Sequence, residues 1–91
     1  MRFAITAIDS YQGIFEAFLA AGWSCVKLFT IPQGRDNASV VARARQLGVP
    51  VQFERMAAPD IEALHGQCDI LILASYSWRI PAWQHAFPLR N

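Results

Sequence analysis

Residues 69–81 read DILILASYSWRIP. Ile70, Leu71, Ile72 and Leu73 put aliphatic side chains at successive positions, so a strand here is apolar on both faces. That pattern belongs to a strand buried within a parallel sheet, because a strand with one wet face alternates apolar and polar residues. The strand is expected over residues 69–75. It breaks at Ser75 into Tyr76, Ser77, Trp78 and Arg79, with Ile80 and Pro81 beyond.

Working outward, residues 2–8 (RFAITAI) and 24–30 (SCVKLFT) also read as strands covered on both faces, and PVQF at 50–53 as a weaker one. Helical patterns separate them. Ile14, Phe15, Phe18 and Leu19 share one face of a helix over 11–21, and Gly22 stands where a C-terminal cap is needed. Asp36 or Asn37 can cap a helix over 38–47, whose buried stripe is Val40, Val41, Ala44 and Leu47, with Arg43 and Arg45 outside. Pro59 suits the first turn of a helix over 59–65 that buries Ile61 and Leu64, and Pro81 opens a final helix over 81–87.

Strand and helix therefore alternate, with no hairpin dipeptide between strands. Right-handed crossovers then favour an α/β fold: an open, doubly wound, Rossmann-like parallel sheet of about four strands in order 3-2-1-4, with helices on both faces and cut short relative to the full doubly wound fold. At 91 residues the chain is one domain, 1–91, with room for a single modest core.

Composition narrows the partners. Apolar residues make up 54% and charged residues 16%, which is a globular balance. Seven arginines and the single Lys27 are scattered rather than clustered, so neither nucleic acid nor a membrane surface is an expected partner. No apolar run approaches the roughly 20 residues of a membrane span. The stretch Phe3–Ile8 is too short for a signal peptide, and a cytoplasmic protein is the expectation. Cys25 and Cys68 could form a disulfide, but two buried reduced thiols are the preferred reading.

In a doubly wound sheet ligands bind beyond the carboxyl ends of the strands, where the winding reverses. Order 3-2-1-4 puts that crevice between strands one and four, and so between the turn AIDSYQG (7–13) and the loop SYSWRIP (75–81). Several residues have plainer uses. Tyr76 and Trp78 can be packing lids, Arg79 a solvated residue, Ser75 and Ser77 turn formers, and Asp9 the cap of the first helix. His65 and His85 read as surface residues, and Trp23 and Trp83 as packing. The first turn carries one glycine, at its end, and so lacks G-x-G-x-x-G; there is no P-loop pattern and no set of metal ligands. Asp9 suits a phosphoacceptor domain, yet the third strand ends in Glu54-Arg55 and supplies no acceptor aspartate.

Three stretches together resemble the N-terminal part of the folate-dependent formyltransferases, the methionyl-tRNA, glycinamide ribonucleotide and sugar N-formyltransferases. They are MRFAITA...IFEAFLAAGWSCVKLFT, with its helix ending in L-x-x-A-G; ARQLGVPV, similar to A-x-x-x-G-I-P-V; and CDILILASYSWRIPAW, similar to D-[LIV]-[LIV]-[LIV]-x-x-[YF]-x-x-[IL]-[IL]-P. The resemblance implies that the loop after the fourth strand lies against the pterin of 10-formyltetrahydrofolate, through Arg79, Ile80 and Pro81 with Trp78 beside them. It also implies transfer of a formyl group to an amine. The family's catalytic Asn and His, in N-x-H-x-S-L-L-P, and its Asp all fall beyond the position matching Asn91, so no catalytic residue is assigned and the chain alone is expected to be inactive. The short IPQGRDNAS loop (31–39) favours a small amine such as an amino-sugar over methionyl-tRNA. Two other readings stay open. One is a non-catalytic binding or dimerisation module, pairing through a sheet edge left exposed beyond the fourth strand. The other is a nucleotide-binding domain of a different α/β family.

Overall fold

The computed structural model describes residues 1–32 and 36–74, together with the backbone of 89–90. Along the chain run β1 (Arg2–Thr6), a 3₁₀ turn (Asp9–Tyr11), α1 (Gln12–Ala20), β2 (Ser24–Phe29), α2 (Ala38–Gln46), β3 (Val51–Gln52), α3 (Ala58–Leu64), β4 (Ile70–Leu73) and β5 (Leu89–Arg90). The expected helix over 81–87 lies outside the described residues.

All strand pairs are parallel, and the sheet runs β3-β2-β1-β4-β5. The doubly wound order 3-2-1-4 is therefore present, extended by one short strand. Leu71 pairs with Leu89 and Ile72 with Arg90, so the outer side of β4 is occupied. This corrects the expectation of an open edge at β4, which β5 covers at Leu71 and Ile72, and makes β5 the outer edge of the sheet on this side. It also explains why β4 is so apolar: a strand with neighbours on both sides and cover on both faces has no wet position.

β1 is the centre of the sheet, between β2 and β4, and Phe3, Ala4, Ile5 and Thr6 are completely buried. Its alternation divides the core. Phe3, Ile5 and Ala7 pack with Phe15 of α1 and with Val40, Val41 and Ala44 of α2. Ala4 packs on the opposite side with Phe29, Ile61, Leu64 and Leu71, beneath α3. Helices α1 and α2 thus cover one face and α3 the other, as right-handed crossovers in both winding directions demand. The two cysteines follow this division: Cys25 packs on the α1/α2 side and Cys68 on the α3 side, and both are free thiols.

One irregularity lies in β2. Phe3 pairs with Cys25 but Ala4 pairs with Lys27, so Val26 is an extra residue in a β-bulge. The bulge lets Cys25 and Leu28, three apart, face the α1/α2 core, while Val26 and Phe29 face the α3 core. The Lys27 ammonium lies 5.0 Å from the centre of the Phe29 ring, two residues further along the strand.

Both long helices stop in the same way. Gly22, at φ +88°, ends α1: its N–H donates to the Leu19 carbonyl at 3.0 Å, and the Trp23 N–H donates to Phe18 at 3.1 Å. This is a Schellman cap, and its characteristic apolar contact is present as the Trp23 ring on Phe18, 4.8 Å between centroids. At the end of α2, the N–H of Gly48 donates to Arg45 at 3.1 Å and that of Val49 to Ala44 at 2.8 Å. Leu47 sits at that C-cap position and is 42% exposed, not part of the buried stripe as expected.

Between the two helices, the Arg43 guanidinium donates to both carboxylate oxygens of Glu16, at 2.9 and 3.2 Å. Arg43, expected on the solvent side, is half-buried by this contact. The bond holds the Glu16 carboxyl below its usual range. Because that pKa is lowered on folding, the associated stability is present above the unfolded-state value and fades as pH falls through the folded one. Its size is small, since the carboxylate is partly in water.

Candidate functional site

The site suggested by the topology lies where β1 and β4 end side by side. Thr6 pairs with Leu73, and the Ala74 N–H donates to the Thr6 carbonyl at 3.1 Å. One residue later β1 leans the other way, with the Ala7 N–H bonded to Phe29 of β2 at 3.1 Å. The two strand tips part here, and the winding reverses between them. The sequence-based site residues Trp78, Arg79, Ile80 and Pro81, with Ser75, Tyr76 and Ser77, lie outside the described residues, as do Trp83 and His85. The chain leaves β4 for that loop directly beside the end of β1.

On the other side of the crevice, the turn after β1 is fixed by Asp9. Its Oδ1 accepts the N–H of Val40 at 2.8 Å, and its own N–H donates to the Asp36 carbonyl at 2.7 Å. Val40 is the third residue of α2, so Asp9 supplies the N-terminal cap of α2 from a different loop. The expectation that it caps the first helix is thereby corrected; no side chain caps the turn or α1. A carboxylate at this helix end also opposes the partial positive charge of the helix dipole. Asp9→Ala is expected to cost about 1–2 kcal/mol and to speed hydrogen exchange at Val40 selectively, measured by thermal unfolding and amide exchange.

Asn37 stands at the formal N-cap of α2 but its side chain makes no cap bond there. Completely buried, it turns inward and its Nδ2 donates to the Ile31 carbonyl at 2.8 Å. Asp9 and Asn37 have thus divided the work: one caps the helix and the other holds the loop leading to it. Gln12 joins the same patch, its Oε1 accepting the Ser39 hydroxyl at 2.6 Å. Across the sheet, the Asp60 carboxylate accepts the Ala57 N–H at 2.7 Å and so caps α3.

Thr6 is the residue that sequence reasoning passed over. It ends β1, is completely buried, and its Oγ1 has no hydrogen-bond partner among the described residues. Alternation places its side chain on the Ala4 side of the sheet, with Phe29 and Leu73 as its paired neighbours. The available signal was a lone hydroxyl closing the run Phe3-Ala4-Ile5.

A cleft of about 250 Å³ opens at the opposite end of the sheet, lined by Leu19, Trp23, Ser24, Cys25, Leu47 and Val49. Burial pushes the Cys25 thiol up to about 12, so at neutral pH it is protonated and a poor nucleophile. That cleft lies at the amino ends of the strands, whereas ligands of doubly wound sheets bind beyond the carboxyl ends, so the crevice between β1 and β4 is the better candidate. Among the described residues no three His, Cys, Asp or Glu side chains converge as metal ligands, and no helix is long and apolar enough to cross a membrane. His65 is exposed, as expected for a surface residue.

In the described part of the crevice the two strand tips lie side by side, and its carboxylate, Asp9, is engaged by α2. No protein-family model matches the chain, and no curated protein is significantly similar to it.

Proposed function

We propose that the chain is the folate-binding N-terminal portion of a formyltransferase, one that moves a formyl group from 10-formyltetrahydrofolate to an amine. The observation that carries this reading is the adjacency of the β1 and β4 tips, with Thr6 paired to Leu73 at the point where the winding reverses. The three sequence stretches that resemble the family belong to this same frame. The first spans β1 to β2, the second is the turn from α2 into β3, and the third runs from β4 into the loop carrying Trp78, Arg79, Ile80 and Pro81.

A pterin has apolar faces and an edge rich in donors and acceptors. Apolar side chains against the face and backbone groups at the edge bind such a ring without any charged residue. In the full reaction an amine attacks the formyl carbon, an oxyanion is stabilised by hydrogen-bond donors, and a base takes the amine proton. In the resembled family these groups follow the position of Asn91, so the part assigned to this chain is to seat and orient the cofactor. The amine is an amino-sugar or methionyl-tRNA, and the short loop between β2 and α2 favours the smaller substrate.

Titrating the chain with 5-formyltetrahydrofolate, a stable cofactor analogue, and in parallel with ADP, tests this by nuclear magnetic resonance shift changes. Saturable folate binding is expected with a dissociation constant of roughly 0.1–1 mM, about −4 to −5.5 kcal/mol, and with shifts concentrated at Thr6, Ala7 and Ala74. Silence towards folate, or a response to ADP alone, overturns the reading in favour of another α/β binding module.

A further inference from the structure

We draw no further inference here: the strongest candidate, the cleft of about 250 Å³ beside Trp23 at the amino ends of the strands, is walled by Leu19, Leu47 and Val49 with Cys25 as a lone thiol, and nothing in the structure shows what covers it.

Discussion

Phe3→Ala is expected to cost about 3–5 kcal/mol of folding free energy, the range for truncating a large aromatic side chain in a close-packed core. Phe3 is completely buried in the central strand, and three aromatic rings surround it. Phe18 lies 5.5 Å away between centroids, Phe15 6.2 Å and Trp23 6.3 Å, with the Phe15 contact edge-on at 70°. Truncation removes the transfer energy of the ring and leaves a void that this frame cannot close, because Phe15, Phe18 and Trp23 are held by α1 and its Schellman cap. A domain of this size has a total stability of roughly 5–13 kcal/mol, so the loss takes a large part of it. Urea titration followed by far-ultraviolet circular dichroism is the measurement. The midpoint should drop steeply with the slope preserved, and a shift worth less than about 2 kcal/mol would contradict the arrangement of rings.

The second large effect is electrostatic. The Asn37 amide donates not only to the Ile31 carbonyl but, at 3.4 Å, towards Pro32 and the Thr30 hydroxyl. Asn37→Asp keeps the shape and reverses the chemistry: donors are replaced by a carboxylate facing carbonyl oxygens in a fully buried position. The expected cost at neutral pH is about 3–4 kcal/mol. Burial and the facing oxygens both raise the pKa of the introduced carboxyl above its unfolded value of about 4. A group whose pKa rises on folding is penalised only where it is charged in the unfolded chain. The deficit is therefore absent below that unfolded value, grows as pH rises between the two pKa values, and levels off above the folded one. Denaturation of the variant and wild type at several pH values should show the gap closing on acidification. A gap independent of pH would mean that the loss is one of packing.

The two predictions mark what the sequence could and could not disclose. The sheet order was legible because Ile70–Leu73 and Phe3–Ile5 are apolar on consecutive positions, and because Gly22 and Gly48 stop helices where positive φ is required. Those signals are local. Which loops become neighbours is not, so Asp9 and Asn37 were each credited with capping the helix nearest in sequence, whereas Asp9 caps α2 and Asn37 secures its approach. The bulge at Val26 was hidden because no residue type demands it; it arises from fitting β2 to both cores. Strand β5 carries no apolar run at Leu89–Arg90 and exists through pairing with β4. For the candidate site, topology located the crevice, and the unpaired state of Thr6 emerged only from three-dimensional neighbours.

The central position of β1 has a consequence for biosynthesis. The strand made first is the one that needs two neighbours, and the second of them, β4, begins at Ile70. At about 5–20 residues per second on the ribosome, the nascent chain spends roughly 3–13 s with one flank of its central strand unpaired. During that interval Phe3, Ala4 and Ile5 offer a strand to any extended polypeptide nearby, so translation speed and chaperone supply should govern the yield of this protein more than its final stability does.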